Sequence, residues 1–526
     1  MEKKIFDVII IGSGIGGLAA ASILSQVYGK RVVVLERHSK FGGYTHTFKR
    51  KAKYQWDVGV HYIGDMQPHS ANRYFFDYLT QGQLHWNKMP SPYDIFIYPD
   101  LTFEAKAGAE NLLSDFITKF PREERALRQY FRDIEKGANW FTRYIISNSL
   151  PRVMKPLSRA IAKSGSEFAL QTTKNYLDTH FKDNRLKGLL VSQWGNYGLP
   201  PALSAFGVHA LIVHHYINGG WYPIGGAQKI AEGIAPVIEN ADGQLLKSHQ
   251  VDEIIFHKNR AIGVRVTAGQ KEKRSEEFFA DKIISDAGAY NTYIKFIPDS
   301  IKLKFREDIK NFPKCTANLS LFIGFKDDPH LSWVNGENYW IFDSFDHNKI
   351  FHSRNDILDG KASHAYVSFP SLKDPEKEHH TAEILAFAGY GAFKQWADQP
   401  VKNRSEEYNE LKEKISTALI DFVQERLPNF KQLIDYYELG TPLTNEHYTG
   451  HHRGCIYGLP CVPERFQKKW LRPKTLFKNL YLTGADTAIH GVVPSMLSGI
   501  LTATLAMGRP QDMIKIFHAA KRFSES

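Results

Sequence analysis

The chain has 526 residues, too many for one hydrophobic core, and a prior of roughly 150 residues per unit gives about three domain-sized bodies. Hydrophobic residues make up 43% and charged residues 23%, close to the averages of soluble globular proteins, which excludes wholesale disorder. Sixty-seven Lys and Arg against 56 Asp and Glu leave a net charge of +11, enough to attract anionic lipid or phosphate but no signature of a nucleic-acid partner, and none is expected.

Ile5 to Ile11 reads as a strand with a β-branched run at Val8 to Ile11. Gly12-Ser13-Gly14-Ile15-Gly16-Gly17 then carries G-x-G-x-x-G at Gly12, Gly14 and Gly17. Leu18 to Val27 has helix-forming composition, and Arg31 to Leu35 is a second strand ending at Glu36. That order suits a dinucleotide. Gly12 permits the tight turn, Gly14 lets backbone approach a pyrophosphate, Gly17 lets helix pack on strand, and the helix N-terminus offers its N–H groups to the phosphates. Glu36, about 20 residues beyond the turn, is placed to accept hydrogen bonds from a ribose. Val8 to Gly29 is uncharged, yet its strand-like start and its glycines argue against a membrane span. A second pair, Gly42-Gly43, brings the chain back towards the same ligand.

The middle of the chain carries two compositional signals. From Trp140 to Lys163, apolar residues (Trp140, Phe141, Tyr144, Ile145, Ile146, Val153, Met154, Leu157) interleave with Arg143, Arg152, Lys155, Arg159 and Lys163, and no acid occurs between Glu135 and Glu167. Such a segment suits peripheral contact with an anionic bilayer, or else a solvated basic helix pair, and Pro151 and Pro156 are expected to break it. Between Lys187 and Lys229 there is no Asp, Glu, Lys or Arg, while Trp194, Tyr197, Phe206, Tyr216, Trp221 and Tyr222 occur there. This reads as the wall of a long apolar cavity or as ordinary core. Gly226 to Glu239 is predicted helical. Gln250 to His257, Ala261 to Thr267, Ala317 to Phe325 and Ile384 to Tyr390 are predicted strands.

His447, His451 and His452 cluster beside Glu446, but Gly450 and Gly454 favour a loop and no metal site is expected. Cys315, Cys455 and Cys461 lack C-x-x-C spacing, so neither a disulfide framework nor a redox dithiol is expected and a reducing compartment fits. At the far end, Leu480 to Leu482 and Thr483-Gly484-Ala485-Asp486 form another strand and glycine turn, followed by His490-Gly491-Val492-Val493-Pro494 opening a helix. Two phosphate-competent turns at opposite ends of the chain call for a ligand longer than NAD. FAD meets that demand.

These segments resemble the flavoprotein superfamily of amine oxidases and phytoene desaturases, and within it the retinol saturase and carotenoid isomerase branch. The resemblance includes Asp57 to Gly64, Gly219 to Gly226, Ser285 to Thr292 and Pro442 to Asn445, besides both glycine turns. It implies an α/β fold: a discontinuous Rossmann-like FAD-binding domain (1–69, 220–299 and 436–526) with an inserted mixed α+β substrate domain (70–219 and 300–435), whose membrane-facing helices would lie near 140–163. It also implies FAD contacts from Gly12, Ser13, Gly14, Ile15, Gly16, Gly17, Glu36, Arg37, Gly42, Gly43, Tyr44, Thr45, Gly59 and His61. Val251 would offer backbone to the adenine. Gly484, Asp486, Gly491, Val492, Val493 and Met496 would lie along the ribityl chain and flavin ring, with Asp486 bonding the ribityl.

The expected activity is FAD-dependent hydride transfer to a carbon–carbon double bond of a long apolar polyene or isoprenoid, with desaturation and cis–trans isomerisation as alternatives. His61, Tyr62 and His490 are candidates for proton handling. Only one dinucleotide fingerprint is present, so electrons for a reductase would come from visiting NAD(P)H or from an electron-donor partner. A non-catalytic prenyl carrier, like the guanine-nucleotide dissociation inhibitors of this fold, would not need the two glycine turns. No G-x-S-x-G or H-E-x-x-H motif supports a hydrolase. The chain begins almost at its first strand, which leads to the expectation of a cytoplasmic, at most peripheral, protein.

Overall fold

A strand buried on both faces must sit between two layers, and Val8-Ile9-Ile10-Ile11, none more than 3% exposed, does so. The computed structural model describes residues 4–149, 155–329 and 334–526. In the first sheet the strand order is Gln244–Lys247, Val32–Glu36, Lys4–Ile11, Arg274–Ser285, Arg260–Ala268 and His249–His257. The first four run parallel and the last two return antiparallel. Leu480–Leu482 pairs in parallel with the end of Arg274–Ser285, so three distant segments of chain close one sheet. The helix Ile15–Gln26 packs against Gln228–Glu239 and Val492–Ala506. A Cβ on Gly499 would fall 2.2 Å from the Gly16 carbonyl oxygen, so the helix Val492–Ala506 rests directly on the first glycine turn.

The second sheet runs Ile434–Gly440, Ala317–Phe325, Thr381–Ala388, His364–Ser368, Asn338–Phe342, Asp94–Tyr98 and Leu101–Ala105. All neighbours are antiparallel except Asn338–Phe342 with Asp94–Tyr98. Ile434–Gly440 spans the expected division at 436 and belongs to this sheet. Helices Glu124–Ser149 and Phe206–Tyr216 pack together beside it. No single long helix spans this segment: Glu124–Ser149 and Lys155–Lys163 are separate, and Pro151 lies outside the described residues. Pro156 falls in the first turn of the second helix, where its missing N–H costs nothing. Arg152, Val153 and Met154 lie outside the described residues. No helix among the described residues is long and apolar enough to cross a membrane.

Candidate flavin site

The C-terminal ends of the parallel strands and one face of the second sheet enclose a cavity of about 960 Å³. Clefts at this end of a parallel sheet are the usual ligand positions, and the volume lies at the upper end for small-molecule sites. The cradle is built from loops that strand geometry delivers. Gly12, at φ +93°, turns the chain in a way a side chain resists. The Ser13 N–H and Oγ donate to Glu36 Oε2 at 3.0 and 2.6 Å, and the His38 N–H donates to Oε1 at 2.7 Å. Gly42 donates its N–H to the Ser13 carbonyl at 3.1 Å, and a Cβ on Gly43 would lie 3.1 Å from Gly14 Cα, so the second glycine pair closes over the first.

From the other end of the chain, Gly484 stands at φ +81° and donates its N–H to Ser498 Oγ at 3.1 Å. Asp286, at the end of the long strand, faces all these loops. Its carboxylate lies 2.4 Å from where a Gly14 Cβ would be, 2.7 Å from a Gly16 Cβ and 2.1 Å from a Gly484 Cβ. Only glycines leave this space, and the N–H groups at the helix N-terminus fit a pyrophosphate, with Glu36 on the ribose side. Ser13, Gly14, Ile15, Gly16, Arg37, Tyr44, Thr45, Gly59, Val251, Gly491, Val492 and Val493 all line the same cavity. Gly17 lies behind its wall, packed on the Gly12 carbonyl oxygen. Met496 is fully buried in the core beneath the glycine turn and does not line the cavity, because the helix turns that face inward.

The three candidate proton carriers, His61, Tyr62 and His490, all reach the same cavity. His61 lines the cavity, and burial, reinforced by the Lys373 ammonium, holds its ring down to about 3, so it is neutral. Tyr62 stacks on Tyr216 at 4.2 Å and donates to Asp94 Oδ2 at 2.9 Å. His490 is held down to about 3 by burial, with Arg465 adding to the effect, and its Nε2 has no hydrogen-bond partner. Asp486 accepts backbone N–H groups from Leu459 at 2.8 Å and Ala289 at 2.6 Å, so both its oxygens bind protein. Arg465 is 1% exposed and donates to the carbonyls of Leu459, Ala485 and Ala488, tying the loops of the C-terminal segment together. Asp286 falls in the Ser285 to Thr292 segment of the resemblance, which gave it no role, and Arg465 falls in none of the segments.

The uncharged segment between Lys187 and Lys229 divides. Trp194, Leu211, Ile212 and Tyr216 reach the cavity, whereas Tyr197, Phe206 and Tyr222 are core at 1% exposure or less. From the helix Glu124–Ser149, Ala138, Asn139, Thr142 and Ile145 line the cavity too.

The flavin containing amine oxidoreductase family matches over residues 15–507. The chain belongs to that family. Membership makes it an FAD-dependent oxidoreductase. It is 33% identical to an all-trans-retinol 13,14-reductase of Danio rerio over 98% of this chain and 88% of that protein. It is 26% identical to a chloroplastic prolycopene isomerase of an Oncidium hybrid cultivar, over 95% of this chain and 84% of the other. Among solved structures, cyclohexylamine oxidase from Brevibacterium oxydans matches with a TM-score of 0.61 at 15% identity, covering 97% of this chain and 99% of that one, a likeness of fold.

Two expectations about the wall of this flavoprotein's cavity change. Cys315 and Cys455, 140 residues apart, are joined as a disulfide with Cα atoms 5.7 Å apart, and spacing along the chain carried no sign of it because the fold brings them together. Cys461 stays free and buried. The histidine cluster does not form a loop throughout, since Pro442–Thr449 is a helix with a Thr441–Thr444 capping box and ends on Gly450 at φ +72°. His447 therefore lies on the helix and His451 beyond it.

The cradle carries a pH signature. Burial pushes the Asp286 carboxyl up to about 7, a backbone N–H at Gly17 opposing the rise and the carboxylates of Glu36 and Asp486 adding to it. A carboxyl whose folded pKa exceeds its unfolded value binds its proton more tightly when folded, so its share of stability falls as pH rises from 3.8 to about 7. Cofactor-free Asp286→Asn is therefore expected to lose less stability than wild type across that interval. Denaturant unfolding at stepped pH measures it, and identical slopes would remove Asp286 as the source.

Proposed function

We propose that this flavoprotein adds hydrogen across a carbon–carbon double bond of a long apolar polyene or isoprenoid, of the retinoid or carotenoid kind. The observation that carries the reading is the wall contributed by the second sheet. Its cavity residues include Trp340, Phe342, Tyr366, Leu385 and Phe387, and none is Asp, Glu, Lys or Arg. An apolar chain laid along that wall keeps water away, and no charge there must be desolvated. Bound FAD would supply hydride chemistry at its ring, held by the glycine loops, Glu36 and the turn at Gly484. The protein's own part is to align the double bond against that ring, exclude water and manage one proton. The likeness to a retinol reductase favours saturation. The likeness to a prolycopene isomerase supports isomerisation as the second reading.

The helix Glu124–Ser149 connects the cavity to the surface. Ile145 lines the cavity, while Arg143 is exposed and Ile146 is 49% exposed, as is Leu157 on the following helix. This basic, apolar rim suits peripheral contact with an anionic membrane, from which a lipid-soluble substrate enters. Reducing equivalents would then come from NAD(P)H or a protein donor reaching the flavin. The test is anaerobic incubation of the yellow protein, with and without NAD(P)H, with retinoid, carotenoid and quinone panels, followed by product mass. A gain of two hydrogens is expected. Unchanged mass with altered geometry would select isomerisation, and no product from a flavin-loaded protein would overturn the substrate class. In a second arm, Ile146→Asp with Leu157→Asp should reduce co-sedimentation with anionic vesicles, and equal sedimentation would remove the membrane contact.

A further inference from the structure

Residues Glu383, Leu385 and Phe387 alternate along Thr381–Ala388 and so share one face of the strand. Leu385 and Phe387 line the cavity. Glu383 continues the row one step deeper, behind His61, with its side chain 0% exposed. Neither of its carboxyl oxygens makes a hydrogen bond of normal geometry, and the same is true of His61 Nδ1; the Asp57 backbone N–H is close enough to favour the carboxylate only weakly. The two groups stand 3.4 Å apart, Nδ1 to Oε2, while the His61 side chain keeps 16% of its surface open. A buried carboxyl left unsatisfied costs several kcal/mol as an anion, and a sheet position of this kind is normally apolar.

The surroundings of the pair are polar in an organised way. Lys373 is 1% exposed and its Nζ donates to the His61 carbonyl at 3.0 Å, to Ser368 Oγ at 2.7 Å and to Asn338 Oδ1, three acceptors for the three protons of an ammonium. Asp57, held by Tyr222 and by the Ala227 N–H, faces Glu383 from the neighbouring hairpin, and Tyr366 packs its ring 5.3 Å from the His61 ring. Burial holds the Glu383 carboxyl well above the usual range; Asp57 reinforces this, while Lys373 and a backbone N–H at Asp57 oppose it. Asp94, Glu337 and Tyr62 also surround Lys373, whose amine burial draws down to about 7 while Asp94, Glu383, Asp57 and Glu337 oppose the fall and favour the ammonium.

We propose that Glu383 is the proton source of this cavity, delivering its proton through His61 to the substrate carbon. The inference rests on the reading of the site as one that adds hydrogen to a double bond. In the step, the Glu383 O–H bond breaks as Nδ1–H forms on His61, and Nε2–H breaks as a C–H bond forms. The alkene π pair supplies the electrons of that bond. Bound reduced flavin would supply the hydride, and with it the two electrons, for the adjacent alkene carbon. Glu383 is left as a carboxylate facing the Lys373 ammonium, and one proton from solvent resets the pair. His61 stays neutral throughout and exchanges tautomers. Glu383 acts through His61 and is a positioning and supplying residue, whereas His61 touches the substrate.

The experiment reads the pair with and without turnover. In cofactor-free protein, infrared titration should show a protonated-carboxyl C=O band that persists above neutral pH, disappears in Glu383→Gln and shifts in His61→Gln. In the flavin-loaded enzyme, Glu383→Gln should lower turnover about 10²-fold or more with substrate Kd and flavin absorbance unchanged, and should enlarge the solvent deuterium isotope effect. A Glu383 band that vanishes like an ordinary carboxylate in wild type, or wild-type turnover in Glu383→Gln, overturns the proposal. The wild-type titration and His61→Gln decide it even if Glu383→Gln does not fold. A wild type that binds flavin yet transforms no polyene defeats the substrate reading instead, and the infrared band still reports on Glu383.

Discussion

Gly14→Glu should purify as a folded but colourless protein, with FAD affinity reduced at least about 10³-fold, or ~4 kcal/mol. The backbone at Gly14 has φ −60° and ψ 166°, an extended conformation that any residue adopts, so strain does not explain the loss. Space and charge do. A Cβ there points at Asp286 Oδ2 from 2.4 Å, and a glutamate would set a second carboxylate into the space that fits an anionic pyrophosphate. Gly14→Ala separates the two causes. Its methyl meets only the movable end of the Asp286 side chain, so it should weaken binding far less. Gly16→Ala meets Gly484 Cα at 2.8 Å, where backbone must shift, and should weaken binding more than Gly14→Ala. Flavin absorbance against protein concentration, with circular dichroism for the fold, measures the series. Full occupancy in Gly14→Glu would displace the pyrophosphate from this turn.

What could be read along the chain was what local chemistry determines. The first strand, turn and helix follow from a β-branched run, three spaced glycines and an acid, and they occupy Lys4–Ile11, Ile15–Gln26 and Val32–Glu36. The predicted strand Ile384 to Tyr390 lies at Thr381–Ala388, because Gly389 to Ala392 turns away after the apolar run. Other features depend on residues more than a hundred positions apart. Asp286 gains its meaning only beside Gly14 and Gly484, Glu383 only behind His61, and Cys315 only opposite Cys455. No period or spacing encodes such meetings. The uncharged stretch from Gly188 to Gln228 shows a subtler limit. Absence of charge marks burial, but a core aromatic such as Tyr222 and a cavity aromatic such as Trp194 are buried alike. Which side faces a ligand is settled by the helix Phe206–Tyr216 packing on Glu124–Ser149.

Asp486→Ala should destabilise the protein by about 2–5 kcal/mol and loosen the flavin with it. The carboxylate joins three segments that meet only in the fold. Oδ1 takes the Leu459 N–H at 2.8 Å, Oδ2 takes the Ala289 N–H at 2.6 Å, and the residue itself lies just past the Gly484 turn. Asp486 is 5% exposed, so removing it strands two backbone donors away from water. Each stranded donor costs about 1–3 kcal/mol, and the two are coupled through one side chain, so their effects need not sum. Asp486→Asn gives the sharper comparison. Its carbonyl oxygen keeps one N–H, while its amide nitrogen turns protons towards the other, so it should fall between alanine and wild type in thermal stability. Flavin retention should follow the same order, because Ala289 and Leu459 belong to two separate segments, 287–290 and 457–459, whose residues line the cavity. Asparagine melting below alanine would show the repulsion between facing donors to outweigh the bond that is kept, and alanine melting with wild type would mean that Arg465, through Leu459 and Ala485, holds these loops alone.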